Sequence, residues 1–299
     1  MSDAATKILS EFIDHCNYIN AISDLIFYCY TGSIYEKPRE ILRIVEKDLS
    51  YFNKIKRLNI GSKNKAITNL RNAWYHELAF LEPIGDEREN RINRMKFAPW
   101  KIIQFYYSIY SGISAMTRCI NNQEKIGHKK MINIFTHNLL TRKELSKKFF
   151  VSPFCFVLNR KRVLSPAPSD VIKWSYGITD KCPILENCLL KILKKGKVSI
   201  FHYFWELRNW VNYQDSYIFR RLYGKSLKWN LDHDMHVILN TFLTLTELYM
   251  IMVFGYDKIK EDKDIFVNDF NKYFESNIEN DQRLTSYINK RFEIHEDFL

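Results

Sequence analysis

Two short segments of the sequence repeat one local pattern, in which an arginine and an asparagine precede a ring-bearing side chain. The ring follows the arginine by five residues in both segments. The members are Arg71, Asn72 and His76 in the first segment, and Arg208, Asn209 and Tyr213 in the second. Cationic, amide and ring side chains at this spacing are candidates for chemistry on a phosphate group.

The reaction that suits these residue types is transesterification of RNA. A general base takes the proton from a 2′-hydroxyl group, and a general acid protonates the 5′ oxygen that leaves. Histidine serves both tasks near neutral pH. An arginine fork can meet the charge on the phosphoryl oxygens with paired hydrogen bonds and without a metal ion. An asparagine beside it can orient the arginine or donate to the phosphate.

The spacing limits how the first pair can act. On an α-helix, five residues correspond to about 500°, or about 140° net, so Arg71 and His76 are not stacked on one face. They can converge on one phosphate if the helix begins near the arginine, or if a second copy of the chain faces the first. We therefore treat the pair as a candidate that depends on its structural setting.

The first segment reads RNAWYH and resembles the R-N-x-x-x-H signature of the HEPN superfamily, which includes toxin and antiviral ribonucleases. The resemblance implies a metal-independent endoribonuclease of RNA that uses no cofactor and acts as a toxin or an antiviral defence effector. It also implies a C2 homodimer, because HEPN catalytic sites usually form across a dimer. A regulatory protein partner belongs to the same expectation.

A longer and looser resemblance covers residues 95–254, which look like a HEPN four-helix domain. An aromatic helix comes first, and Gly127-His128 opens the second helix. The third helix carries Arg208 and Asn209, and a long apolar helix follows it. Tyr213 stands where the motif histidine belongs, and a tyrosine with a pKa near 10 is a poor base at pH 7. This departure keeps open a catalytically silent module that binds RNA or a partner protein.

The positive charge of the chain is concentrated in one segment. The net charge is +11, and residues 121–164 hold ten Lys and Arg against two acids. Residues 256–299 hold seven Lys and Arg against eleven acids. The predicted RNA-binding face comprises Lys129, Lys130, Arg142, Lys143, Lys147, Lys148, Arg160, Lys161 and Arg162. A general helical scaffold with a solvated basic face is the third interpretation.

Composition and periodicity predict an all-α protein. Nine glycines and seven prolines are few for 299 residues, and apolar residues recur at helical spacing. We predict a helical region over 1–94, a HEPN-like helical domain over 95–255 with an insertion at about 149–180, and a helical acidic tail over 256–299. The insertion has the pattern of a small β-hairpin between residues 149 and 163.

Further features bear on compartment and ligands. Six scattered cysteines and the absence of a secretion signal at the start predict a cytoplasmic protein with free thiols. Residues 236–254 are apolar but contain Glu247, so we predict a core helix and no membrane span. We expect no metal site. We interpret Tyr106 and Tyr107 as core residues rather than a base-stacking platform. We interpret His128 as a solvated helix position, with contact to phosphate as the alternative.

Overall fold

A computed structural model gives the structure of the chain. It describes residues 16, 19, 20, 22, 23 and 26, and the ranges 63–82, 90–120, 126–140, 157–159, 162–163, 197–213, 231–274 and 281–298.

Helices make up nearly all of the described part. They are α1 (Lys63–Leu81), α2 (Asn90–Arg118), α3 (His128–Phe135), α4 (Ile200–Tyr213), α5 (Leu231–Phe254), α6 (Tyr256–Phe274) and α7 (Asp281–Phe298). A π-helical turn, Thr136–Leu140, continues α3. The all-α prediction is therefore confirmed, and the acidic tail forms α6 and α7.

Three short strands accompany the helices: β1 (Val157–Asn159), β2 (Arg162–Val163) and β3 (Lys197–Ser199). β1 pairs antiparallel with β2 on one side and with β3 on the other. The β1–β2 pair lies inside the segment for which the sequence predicts a hairpin. β3 leads directly into α4, so the sheet adjoins the start of the helix that carries Arg208.

The long apolar helix α5 occupies the core. It is long and apolar enough to cross a membrane, but 89% of its most apolar window is buried inside the protein. Its threonines donate their hydroxyl protons to backbone carbonyls one turn earlier, as Thr241 does to Val237 at 2.8 Å. The burial and the internal hydrogen bonds agree with the core helix that the sequence predicts.

Close helix packing brings α2 against both α1 and α5. Ser108 Oγ in α2 donates to the backbone oxygen of Ala73 in α1 at 2.7 Å. At Gly112, an added Cβ would lie 2.9 Å from a ring carbon of Phe242 and 3.0 Å from Oγ1 of Thr246. Glycine is required here by space, because α2 and α5 approach too closely for a side chain.

A buried polar cluster joins three helices. Arg291 of α7 is 1% exposed and donates to both carboxylate oxygens of Glu77 in α1, at 2.7 and 2.8 Å. It also donates to Glu247 in α5 at 2.8 Å, and Trp74 Nε1 donates to the same carboxylate at 2.9 Å. Buried charges are tolerated only when paired in this way. The cluster fastens α7 and α1 to the core helix.

The same hydrophobic core includes residues from both sides of the predicted boundary at 94/95, for example Trp74 of α1 and Phe292 of α7, whose rings lie 6.0 Å apart. The division into an N-terminal region and a HEPN-like domain stays a prediction.

Candidate functional site

A cavity of about 600 Å³ opens between the start of α3 and the outer face of α4. Its lining residues are Gly127, His128, Lys129, Lys130, Asn133, Trp205, Arg208 and Asn209. Three of these eight residues are cations and none is an acid. The first turn of α3 adds backbone N–H groups and the positive end of the helix dipole. The cavity is therefore suited to an anion.

Arg208 is held on the wall of this cavity by its neighbours. One terminal nitrogen donates to the hydroxyl oxygen of Tyr107 in α2 at 2.6 Å, and the other donates to Oδ1 of Asn209 at 3.0 Å. The guanidinium carbon lies 5.3 Å from the centre of the Tyr107 ring. Its Nε is buried without a hydrogen-bond partner among the described residues. Each terminal nitrogen keeps a second N–H, so the guanidinium is pre-oriented and retains donors for a ligand.

His128 lies at the first position of α3, beside this arginine. Its Nδ1 is 2.7 Å from the hydroxyl of Tyr106, and its ring stacks on Tyr110 with 3.9 Å between centres. Burial, and next the charge of Arg208, lower the pKa of His128 below its usual 6.5. Burial raises the pKa of Tyr106, which keeps that hydroxyl protonated. At pH 7 the imidazole is therefore neutral and able to accept a proton.

The two asparagines of the cavity are also fixed through their oxygens. Asn209 accepts a hydrogen bond from Arg208, and Asn133 Oδ1 lies 2.8 Å from Nε2 of His202. In both amides the oxygen is engaged, so the NH₂ groups remain as donors. Lys129 Nζ lies 5.6 Å from the centre of the Trp205 ring, which gives the cavity one aromatic wall next to a cation.

The first arginine segment lies in α1, and its side chains contact two different neighbouring helices. Arg71 forms an ion pair with Asp262 of α6. His76 Nδ1 lies 2.7 Å from Oε1 of Gln104 in α2, and Asn72 is exposed. Arg71 and His76 thus contact opposite neighbours, as the helical offset between them leads one to expect. The structure does not bring this pair onto a shared cavity wall.

His76 nevertheless approaches the second segment. Its ring stacks on Tyr107 with 5.4 Å between centres and 27° between planes. The hydroxyl of the same tyrosine accepts the hydrogen bond from Arg208. Tyr107 therefore contacts both the histidine of the first segment and the arginine of the second segment.

Several predicted site residues lie wholly or partly outside the described residues. Tyr213 ends α4, and Arg162 lies in β2, but neither side chain is described. The remaining members of the predicted basic face outside the description are Arg142, Lys143, Lys147, Lys148, Arg160 and Lys161. Lys129 and Lys130 are the two members that line the cavity.

Sequence reasoning missed three contributors to this site. His128 was expected to be a solvated position, and Tyr106 and Tyr107 to be core residues. Tyr106 is indeed buried, but its hydroxyl fixes a cavity histidine, and Tyr107 holds Arg208. The available signal was the run of tyrosines on α2, which lies opposite the helix start that Gly127-His128 predicts.

Comparison of the chain with protein-family models, curated proteins and solved structures finds no match. The chemistry that the cavity can perform is therefore inferred from the residues that line it. It offers a neutral imidazole, an oriented guanidinium, two amide donors and two ammonium groups around one space. That set can bind a phosphate ester, take a proton from a hydroxyl group and stabilise added negative charge.

Proposed function

We propose that the chain is a metal-independent endoribonuclease of HEPN type, and that the cavity between α3 and α4 is its active site. The observation that carries the proposal is the presence of His128 and Arg208 on one cavity wall with cations and no acid. The predicted segment Arg208-Asn209 supplies the phosphate-binding part. The base comes from His128, which the sequence offered as the start of a helix and as a solvated position that could contact phosphate.

The reaction follows from the roles these groups can fill. His128 keeps its ring proton on Nδ1, which donates to the hydroxyl oxygen of Tyr106, so Nε2 is free to act as the base. Nε2 accepts the proton of the 2′-hydroxyl group, whose oxygen forms a bond to phosphorus as the bond to the 5′ oxygen breaks. Arg208 and the Asn209 amide stabilise the charge on the phosphoryl oxygens. Lys129 or Lys130 protonates the departing alkoxide, which is more basic than an amine. The products carry a 2′,3′-cyclic phosphate and a 5′-hydroxyl group.

The test compares matched variants on RNA in the presence of EDTA. His128→Asn should lower the cleavage rate by about 10²–10⁴-fold, the contribution of a general base. Arg208→Gln should lower it by about 10²–10³-fold, because a charge that meets the transition state is lost. His233→Asn, an exposed histidine of α5 outside the cavity lining, serves as the control and should retain the rate.

The first segment receives its own comparison. Under this proposal Arg71→Ala leaves the cleavage rate largely unchanged, and His76→Ala lowers it moderately by loosening Tyr107. If His76→Ala and Arg71→Ala abolish cleavage while His128→Asn does not, the complete sequence motif is the active centre and the cavity is not. Inhibition by EDTA, or products without a cyclic phosphate, would also contradict the proposed mechanism.

A catalytically silent HEPN-like module that binds RNA or a protein is the second candidate. The tyrosine at position 213, where the family motif has histidine, favours it. Its signature is salt-sensitive RNA binding by the cavity without cleavage of any RNA tested. A wild-type chain that binds RNA and yields no 2′,3′-cyclic phosphate would make this candidate the better account.

A further inference from the structure

His202 is a buried histidine of α4 whose two ring nitrogens are both hydrogen-bonded. Its Nδ1 accepts from the backbone N–H of Ser199 at 3.1 Å and lies 3.0 Å from the hydroxyl of the same serine. Because a backbone N–H can only donate, Nδ1 carries no proton. The ring proton is therefore on Nε2, which donates to Oδ1 of Asn133 at 2.8 Å.

Burial keeps this histidine in its neutral form. Burial, and next the charges of His137 and Lys129, lower the pKa of His202 to about 4. With one donor and one acceptor fixed at neutral pH, the ring can hold only one orientation of the Asn133 amide. Its N–H selects the amide oxygen, so the NH₂ group of Asn133 is the part left for the cavity that the residue lines.

We infer that Asn133 is a neutral phosphate donor of the cavity, and that His202 is the positioning residue that fixes its amide in the donating orientation. The inference rests on the proposed function and adds the group that recognises the phosphodiester. An asparagine without such a partner can rotate its amide freely and turn either the oxygen or the NH₂ group toward an anion. The hydrogen bond from His202 excludes the orientation in which the oxygen faces the anion.

Binding and cleavage must be measured separately, because the two proposals can fail independently. Calorimetry of the full chain with a single-stranded 2′-O-methyl oligoribonucleotide measures binding, since this probe lacks the attacking hydroxyl. Asn133→Asp keeps the shape of the side chain but replaces the donor by a charged acceptor. We expect affinity to fall by about 10–100-fold, as for loss of a hydrogen bond to a charged group. Asn138→Asp, which adds the same charge outside the cavity lining, should change affinity less than threefold.

A double-mutant cycle separates positioning from a structural role. His202→Leu should weaken binding in the wild-type background and should have no further effect in the Asn133→Ala background. His202→Gln should restore binding, because the glutamine amide offers both an acceptor and a donor. A merely structural histidine would weaken binding equally in both backgrounds, and that additivity would overturn the inference.

The tautomer provides a measurement that needs no variant. Nitrogen chemical shifts of His202 should show an unprotonated Nδ1 and a protonated Nε2 at pH 7. The opposite tautomer would overturn the inference. If the probe binds and Asn133→Asp has no effect, the inference fails while cleavage can still stand. If binding depends on Asn133 and no RNA is cleaved, the endoribonuclease fails and the phosphate donor stands. If the wild-type chain does not bind the probe, the inference that Asn133 donates to a phosphate is refuted.

Discussion

At the residue scale, the neutral state of His128 determines what the cavity can do. A histidine whose pKa lies below 6.5 is unprotonated at pH 7, and the positive charge of Arg208 is one cause of that shift. In the proposed reaction the arginine serves twice, because it would bind the phosphate and keep its neighbour available as a base. The same proximity makes the two side chains interdependent in any mutational experiment.

The pH dependence of this pair follows from the sign of the shift. Cleavage should rise as His128 loses its proton, and the midpoint of that rise should lie below the usual histidine pKa of 6.5. Arg208→Gln removes a charge that disfavours the imidazolium ion, so it should raise the pKa of His128. Titration of the His128 ring by NMR in both proteins checks this. Lys272→Gln on α6 removes an equal charge elsewhere, and a shift of the same size in that control would contradict a local effect.

At the element scale, the cluster around Arg291 joins α7, α1 and α5 through buried ion pairs. Glu77 and Glu247 are fully buried, so each carboxylate depends on the arginine for its charge to be tolerated. Burial raises the pKa of Glu77, while Arg291 and His295 hold the pKa of Glu247 below its usual value. The cluster therefore couples the docking of α7 to the position of α1, which carries His76.

Removal of the central cation should be strongly destabilising. Arg291→Leu removes the cation that Glu77 and Glu247 share and leaves only Trp74 and His295 beside Glu247, and we expect the free energy of unfolding to fall by about 3–5 kcal/mol. Urea denaturation measures this value. The adjacent Lys290→Leu changes the charge equally at an exposed position and should alter stability by about 0.5 kcal/mol or less. Equal effects of the two substitutions would show that the cluster adds no stability.

The close approach of α2 and α5 leads to a second prediction about stability. Gly112→Ala places a Cβ within 3.0 Å of Phe242, so the helices must separate or the ring must shift. Such overpacking costs about 1–3 kcal/mol. Gly127→Ala is the matched control, because no atom lies within 4 Å of its added Cβ. Thermal unfolding that shows no difference between the two variants would contradict the packing described here.

At the scale of the whole molecule, the net charge of +11 and the acid-free cavity favour a polyanion. The basic segment 121–164 includes the start of α3, so part of its charge lines the cavity. The C2 homodimer that the family resemblance implies would place two such cavities in one particle. Sedimentation equilibrium of the full chain measures the assembly, and a monomer at all concentrations would contradict a dimeric catalytic unit.

Salt dependence measures how many charges meet the RNA. Binding should weaken steeply between low and physiological salt, because contact with phosphates releases condensed counterions. Lys130→Ala should lower the slope of log affinity against log salt by about 0.7, the value for one phosphate of a single strand. Lys258→Ala on α6 lies outside the cavity lining and should leave the slope unchanged. If neither substitution changes the slope, the cavity is not where the positive charge of the protein contacts the RNA.

Local patterns in the sequence were sufficient for much of the fold. The apolar pattern predicted a core helix over 236–254, and the structure has a buried helix over Leu231–Phe254. Gly127-His128 marked the start of α3, and the hairpin was expected within 149–163. These features depend on periodicity, helix starts and turn residues, which are properties of neighbouring residues in the chain.

The site needed tertiary structure, because its contacts join distant parts of the chain. Arg208 and Tyr107 are 101 residues apart, and His202 and Asn133 are 69 apart. The spacing of apolar residues does not predict which face of α2 contacts α4. It also does not predict which histidine has a pKa lowered by burial. Local sequence patterns were enough to predict the all-α class and the positive charge. Packing alone decided that His76 stacks behind Tyr107 while His128 lies beside Arg208, because only burial and proximity set the partners and the protonation of these groups.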